Sequence, residues 1–242
     1  MIQSQQLSQE ITSRLLEEIR SGRYQSEDRL PPEVTLAEHM GVSRTLIRDC
    51  LSSLEREGFI SRKHGVGTII NKHVIEVNTR MDLEKEFLEM VRDAGYQAGL
   101  QVLGIEQKAA NAQVAAKLKR TEGDPIYQVI RLITADGRPA IYCIDHISVE
   151  EIKTEEYDEA ELGLPIFHFL QKYCHVEVYM DLTEVRAIAA EPWLAEVMTF
   201  PGGAPVLYMD EIGYDFYGKP VLYSQEYYAD GILKHIVMRK KI

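Results

Sequence analysis

The chain has 242 residues, 45% of them hydrophobic, and a formal net charge of −11. Its length suits two domains. No apolar run is long enough to cross a membrane, and the first residues lack the pattern of a signal peptide, which predicts a cytoplasmic protein with no membrane partner. The three cysteines are widely spaced and form neither a zinc pattern nor a disulfide set, so neither a metal nor a cofactor is expected.

The charge is distributed unevenly along the chain. Residues 1–72 contain 10 basic and 10 acidic residues, so the whole excess of negative charge lies in residues 73–242. Residues 43–72 alone carry 6 basic and 3 acidic side chains. DNA binding requires positive charge at the contact surface and not over the whole protein. The pattern predicts a DNA-binding domain at 1–72, a linker at 73–80 and a second domain at 81–242.

The first 58 residues are predicted to form three helices. Apolar residues from Leu7 to Ile19 recur at helical spacing and predict a helix that ends near Ser21-Gly22. A second, shorter amphipathic helix covers residues 36–40 and is followed by Gly41. The third helix extends from Ser43, in the position of an N-cap, to Gly58, in the position of a C-terminal stop.

The third helix has two different faces. One face is apolar and consists of Ile47, Cys50, Leu51 and Leu54. The other face clusters Arg44, Thr45 and Arg48 near the N-terminus, where a helix that enters the major groove presents side chains to DNA. Taken alone, this pattern also fits an ordinary surface helix with two solvated arginines. The segment that follows favours DNA binding.

Residues 59–70 predict two short strands joined by a glycine turn. Arg62, Lys63 and His64 lie at the predicted tip of this hairpin. A hairpin with a basic tip directly after a recognition helix is typical of a wing that contacts phosphate or the minor groove. The predicted DNA contacts are Ser43, Arg44, Thr45, Arg48, Arg62, Lys63, His64 and Gly65.

This N-terminal segment resembles the winged helix-turn-helix of GntR-type bacterial transcription regulators. The resemblance rests on Leu30-Pro31-Pro32-Glu33, Leu36-Ala37, Val42-Ser43-Arg44, Arg48, Leu51, Leu54, Glu57-Gly58 and Gly65-Val66-Gly67-Thr68. It implies a double-stranded DNA operator as partner.

The second domain contains an imperfect internal repeat. After a predicted helix at 83–92, a helical stretch at 110–118 leads to Pro125–Ile130, a Gly-Arg-Pro turn and a further strand. A helical stretch at 192–197 leads in the same way to Pro205–Met209, a Gly-Lys-Pro turn and a strand. Each copy predicts an antiparallel hairpin. With added strands near 101–107 and 176–187, the hairpins would form one antiparallel sheet with helices on one face and a pocket on the other.

This second domain resembles the UTRA effector-binding domain, of chorismate-lyase-like fold, which follows the winged helix in the HutC branch of GntR regulators. The motifs that carry the resemblance are Gly123-Asp124-Pro125-Ile126-Tyr127, Arg131-Leu132, Asp136-Gly137-Arg138-Pro139, Glu184, Gly203-Ala204-Pro205-Val206-Leu207 and Gly218-Lys219-Pro220-Val221. The predicted fold class is α+β, with an N-terminal winged helix-turn-helix followed by this domain. The resemblance implies a homodimer that binds a small-molecule effector.

The resemblance also implies where the effector binds. The candidate contacts are Arg131, Tyr142, Asp145, Glu184, Ser224, Glu226 and Tyr228. Many relatives grip phosphate or carboxylate with a second basic residue two positions after Arg131, but here that position is Ile133. Cys143 replaces an acid, and Glu211 replaces an arginine. A phosphate held by one arginine is weakly oriented, so the hypothesis is an effector other than a sugar phosphate, with hydroxyls, an amine or an aromatic face.

The sequence therefore predicts a ligand-responsive transcription regulator that binds a palindromic operator as a dimer. Two alternatives remain open at this point. The chorismate-lyase-like part could act as an enzyme on a small metabolite, with the winged helix as a targeting module, although no catalytic set of residues is evident. The chain could also be a structural DNA-binding protein that senses nothing.

Overall fold

The structure is a computed structural model that describes residues 2–77, 80–83, 85–154 and 157–240, with side chains from residue 7 onward. By its contacts the chain divides into two units, Met1–Asn78 with Met238–Ile242, and Thr79–Val237. Residues 78 and 79 of the predicted linker lie outside the described residues. Of the C-terminal residues, the described 238–240 group with the first unit, whereas the sequence placed them in the second.

The first unit is a winged helix-turn-helix. Its elements are α1 (Ile2–Arg20), β1 (Arg29–Leu30), α2 (Glu33–Met40), α3 (Arg44–Arg56), β2 (Ile60–Lys63), β3 (Gly67–Ile70) and α4 (Lys72–Ile75). The three strands form an antiparallel sheet in the order β1-β3-β2. The short α4 occupies the first part of the predicted linker, because burial of Val74 holds this turn against the unit.

Packing of α3 follows its apolar pattern. All four residues of its apolar face are buried, and they pack in a unit where Leu15 of α1 and Leu36 of α2 are also fully buried. The Ser43 Oγ accepts a hydrogen bond from the Leu46 N–H at 3.2 Å and so caps the helix. Gly41, with φ of +69°, makes the left-handed turn between α2 and α3, which a residue with a side chain adopts only with strain. These features fix the direction of α3 and leave its polar face toward solvent.

The second unit is built on one six-stranded antiparallel sheet. Its elements are α5 (Phe87–Asp93), β4 (Ala98–Ala109), α6 (Ala112–Leu118), β5 (Pro125–Ala135), β6 (Arg138–Ser148), α7 (Ile166–Phe169), β7 (Met180–Ala189), α8 (Pro192–Val197), β8 (Pro205–Tyr214) and β9 (Pro220–Ala229). The strand order is β4-β5-β6-β9-β8-β7. The predicted α+β fold class is confirmed.

The internal repeat appears as two similar halves of this sheet. Each half has the order strand, helix, strand, strand, as β4-α6-β5-β6 and β7-α8-β8-β9. The halves meet where β6 pairs with β9. The sheet therefore has two outer strands, β4 and β7, which are the first strands of the two halves.

Helices cover both faces of the sheet, and not one face as the sequence predicted. The helices α6 and α8 pack on one face, against side chains that include Tyr223 and Tyr227. The other face, here called the α5/α7 face, carries α5 and α7. The predicted helix at 83–92 begins only at Phe87, since Glu86 has an extended backbone with ψ of 137°; residue 84 lies outside the described residues.

Candidate DNA interface and effector pocket

The predicted DNA-contacting residues of α3 lie together on its solvent side. Ser43, Arg44, Thr45 and Arg48 are all exposed. The side chains of Arg44 and Arg48 are 60% and 59% exposed, which leaves both guanidinium groups accessible to a ligand. One turn of helix separates the two arginines, so they project from the same face.

An acidic residue of α2 sits between the two arginines. The Glu33 Oε2 lies 3.4 Å from Arg48 Nη2 and 3.9 Å from Arg44 Nη2. Exposed ion pairs at such distances contribute little to stability and yield readily to a competing anion. Glu33 therefore does not block the arginines, and a DNA phosphate or a base edge could replace it.

The wing presents three of its four predicted contact residues at its tip. Lys63, His64 and Gly65 are exposed, and Gly65 has φ of +77° in the turn. Arg62 lies lower and is partly buried. Its Nε donates to Glu55 Oε2 at 2.8 Å, and its Nη2 donates to Ser52 Oγ at 3.0 Å. The Arg62 side chain thus ties the wing to α3, a role that the sequence did not indicate.

We expect Lys63→Ala to weaken DNA binding without changing sequence preference. A lysine at a wing tip contacts phosphate, so its removal should lower affinity about equally for all sequences and reduce the slope of log K against log salt by about one. Fluorescence anisotropy at several salt concentrations measures both quantities. Lys172→Ala, an exposed lysine in the second unit, serves as the control for removal of one positive charge. A changed base preference in Lys63→Ala would contradict the assignment.

A cavity of about 730 Å³ opens on the α5/α7 face of the second unit. Its walls come from residues 81–83 and 85–89, from α7 and from the segment 177–183. A narrower recess adjoins it and shares Lys85, Glu86 and Phe167 with it. The sheet forms the floor of this recess with the side chains of Asp145, Glu211, Leu222, Ser224 and Glu226.

The single arginine predicted for the pocket is engaged in a buried ion pair. Arg131 is 1% exposed, and its Nη2 donates to Asp145 Oδ2. Its Nη1 donates to the Leu164 carbonyl at 2.9 Å. The other oxygen of Asp145 accepts from Ser224 Oγ at 2.6 Å. Arg131 therefore lies among the groups behind the recess, and its charge is already balanced by Asp145.

The structure brings together five of the seven predicted effector contacts. Arg131, Asp145, Ser224, Glu226 and Tyr228 all lie on the α5/α7 face, where the Tyr228 hydroxyl donates to Glu226.

The structure places Tyr142 and Glu184 on the opposite face, and this corrects the predicted grouping. Tyr142 packs at 5.5 Å between ring centroids against Trp193 of α8, and the side chain of Glu184 is 66% exposed. The physical reason is that successive side chains of a strand point to opposite faces, so Tyr142 cannot share a pocket with Asp145, three positions along.

Glu86 and Asp181 also lie in this region, and nothing in the local sequence marks either of them as an effector contact. The sequence marks Glu211 only as a departure from the family pattern. Burial raises the pKa of Glu211, the Thr183 hydroxyl that donates to it lowers that pKa, and the nearby Asp145 carboxylate raises it. Burial likewise raises the pKa of Glu86, which the charge of Arg131 partly offsets. Each carboxylate is held partly out of water with too little positive charge beside it.

Asp181 should make stability depend on pH. Burial, and next the Glu211 carboxylate, raise the pKa of Asp181 to about 7. A carboxyl whose pKa is raised on folding contributes stability at low pH that is lost as pH rises through the folded-state pKa. The loss begins near the unfolded-state pKa and is complete above the folded-state value, so we expect the melting temperature of Asp181→Asn to exceed that of wild type by more at pH 8 than at pH 5. Thermal unfolding across this range checks it, with the exposed Asp230→Asn as control.

The described part of the chain was also searched for metal sites and for membrane-spanning helices. No group of three or more His, Cys, Asp or Glu side chains within it has the arrangement of a metal site. No described helix has the length and apolar character to span a membrane.

Comparison with known families assigns both units. Residues 7–70 match the bacterial regulatory proteins of the gntR family, and residues 93–230 match the UTRA domain, which covers more than half of the chain. A helix-turn-helix transcriptional regulator of Rhizobium meliloti (strain 1021) is 27% identical over 227 residues, 92% of this chain and 91% of that protein. The repressor NagR of Bacillus subtilis (strain 168) is 26% identical over 205 residues, covering 85% and 83%.

Solved structures show the same fold. The possible transcriptional regulator YydK from Bacillus subtilis aligns with a TM-score of 0.79 at 20% identity and covers 96% of this chain and 99% of that one. PhnF from Mycobacterium smegmatis aligns with a TM-score of 0.60 at 17% identity, covering 94% and 96%. Family and relatives are transcriptional regulators and not enzymes. The chain belongs to the GntR family of bacterial transcription regulators, in its HutC subfamily, with a winged helix-turn-helix followed by a UTRA domain.

Proposed function

We propose that this protein is a dimeric repressor whose affinity for a palindromic operator is controlled by a small molecule bound in the cavity on the α5/α7 face. The observation that carries the proposal is the combination of two features in one chain. The first unit has an exposed arginine pair on a capped helix, and the second unit has a cavity of about 730 Å³ that ends in buried polar side chains. Repression is favoured because the relative NagR is named as a repressor.

The edges of the six-stranded sheet support dimer formation. β4 and β7 are its outer strands, and each leaves one row of backbone N–H and C=O groups without a neighbouring strand. Exposed apolar side chains lie along both edges, among them Val102 and Leu103 on β4, and Leu182 and Val185 on β7. A long exposed edge with apolar side chains favours pairing with another chain. A dimer also supplies two winged helices, which match the two half-sites of a palindrome.

Control by ligand requires two arrangements of the dimer that differ in affinity for the effector. A small molecule shifts such an equilibrium only as far as its affinities for the two arrangements differ. In the proposed mechanism, the effector binds best to an arrangement in which the two winged helices no longer match the spacing of the half-sites. Bound effector would then release the operator.

The experiment begins with selection of operator sequences from a random duplex pool on the full-length protein. Light scattering gives the mass of the free protein and of the complex. Anisotropy titrations of the selected operator, with and without metabolites found by thermal-shift screening, then test control. We expect a complex of two protein chains with one DNA duplex, inverted repeats in the selected DNA and a metabolite that changes operator affinity. A monomer on a single half-site, or operator affinity unaffected by every metabolite that binds, would refute it.

A further inference from the structure

We propose that the recess at the inner end of the cavity binds the positively charged nitrogen of a small organic cation, an ammonium or amidinium group, at Glu211 and Glu226. The inference rests on the proposed function only in naming this ligand as the effector. Three features support the site: the charges around the recess, a carboxylate oxygen with no donor among the described residues, and the difference between the two halves of the sheet.

The recess is acidic and its positive charges are already paired. Its lining includes one cationic residue, Lys85, and four acidic residues, Glu86, Asp145, Glu211 and Glu226. The Lys85 ammonium contacts Asp93 and lies 3.8 Å from Glu89, both outside the recess. Arg131, just behind the floor, is paired with Asp145. An anionic ligand would meet mainly acidic side chains here, whereas a cation would meet opposite charge.

The Glu211 carboxylate lines the recess, and the residue is only 6% exposed. Its Oε2 accepts from the Thr183 hydroxyl, and among the described residues no group donates to its Oε1. No cationic side chain of the described chain pairs with it. A buried carboxylate without a positive partner destabilises a fold. Its presence in the floor of a cavity is accounted for if a ligand supplies the missing donor and charge.

The two sheet halves differ in charge at equivalent positions. The hairpins align by their Gly-Arg-Pro and Gly-Lys-Pro turns, so Glu211 takes the place of Arg131 and Glu226 takes the place of Asp145. The first half thus holds an internal arginine–aspartate pair, and the equivalent positions of the second half hold two carboxylates. A ligand ammonium would offset one of these two negative charges, as Arg131 offsets Asp145 in the first half.

The test uses pairs of probes that differ mainly in charge. Putrescine is compared with 1,4-butanediol, and D-glucosamine with D-glucose, at matched ionic strength because amines are added as salts. Inorganic phosphate and glucose 6-phosphate are the anionic probes. Thermal shift and calorimetry are run on full-length wild type, on Glu211→Gln and Glu226→Gln, and on Glu184→Gln. The last is the matched control, since Glu184 is exposed on the opposite face.

We expect each amine to raise the melting temperature more than the neutral compound with which it is compared. Glu211→Gln should lower the affinity for the amine about tenfold to a hundredfold, the usual effect of removing one hydrogen bond to a charged group. The same variant should melt higher than wild type without ligand, whereas Glu184→Gln should change neither quantity. Stronger binding of the phosphates than of the amines, no response to either amine, or an unchanged amine affinity in Glu211→Gln would each overturn it.

Operator titrations separate the two proposals. Amines that bind but leave operator affinity unchanged would retain the cation site and refute its role as the effector site. Operator affinity that responds only to neutral or anionic compounds would support ligand control and overturn the cation site.

Discussion

Replacing Arg48 by alanine is expected to reduce affinity for the selected operator about a hundredfold or more. A well-placed arginine contact to a base contributes about 1–3 kcal/mol, and a dimer makes this contact at both half-sites. Arg48 is well placed for such a contact because its side chain is 59% exposed, next to Arg44 on the polar face of α3. Ligand binding should be unaffected, since the cavity belongs to the other unit.

Anisotropy with the operator and with an unrelated duplex separates the two ways in which Arg48 could act. If Arg48 contacts a base, the variant should bind the operator and the unrelated duplex with similar affinity. If Arg48 contacts phosphate, the affinity for both duplexes should fall by the same factor, and the salt dependence of binding should decrease. Arg14→Ala is the matched control, because Arg14 is an exposed arginine on α1, away from α2, α3 and the wing, and its Nε lies 3.9 Å from Glu18 Oε1. Wild-type operator affinity in Arg48→Ala would show that the recognition face has been misplaced.

Local patterns predicted the elements of this fold well. The apolar face of α3, its Ser43 cap and the glycine turns are encoded within a few residues, so periodicity and cap chemistry identify them directly. The two hairpins were visible for the same reason, because each turn has its own glycine and proline. These are the features for which neighbours in sequence are also neighbours in space.

The candidate pocket was less predictable because its composition depends on register and on distant elements. A shift of one position along a strand moves a side chain to the other face of the sheet. Tyr142 therefore lies on the face opposite the recess, whereas Asp145 lies on the α5/α7 face. The pairing of Arg131 with Asp145 crosses from β5 to β6, and no local pattern showed that the arginine would be buried and paired. Glu86 reaches the same recess from the segment before α5. Its sequence context resembles that of any polar residue at a helix start.

The cross-strand pair behind the recess provides the largest expected effect on stability. Replacing Arg131 by methionine should lower the free energy of unfolding of the second unit by about 3–5 kcal/mol, the usual cost of removing one partner from a buried ion pair. The reason is that Asp145, 1% exposed, would then have, among the described residues, the Ser224 hydroxyl and the Cys143 thiol as its remaining donors and no cationic partner. Methionine has a similar length and leaves little empty space, so the missing charge and not the missing volume dominates the effect.

Urea unfolding followed by tryptophan fluorescence measures this change, since the chain has a single tryptophan and Trp193 lies on α8 of the second unit. A second replacement isolates the electrostatic contribution. In Arg131→Met with Asp145→Asn, the charge without a partner is gone while the Ser224 hydroxyl keeps an acceptor, so the double variant should recover most of the stability. Arg186→Met, an exposed arginine on β7, should lie close to wild type. If the double variant is no more stable than Arg131→Met, the pair is held by shape and by the Leu164 carbonyl, and the charge balance inferred for the recess loses its basis.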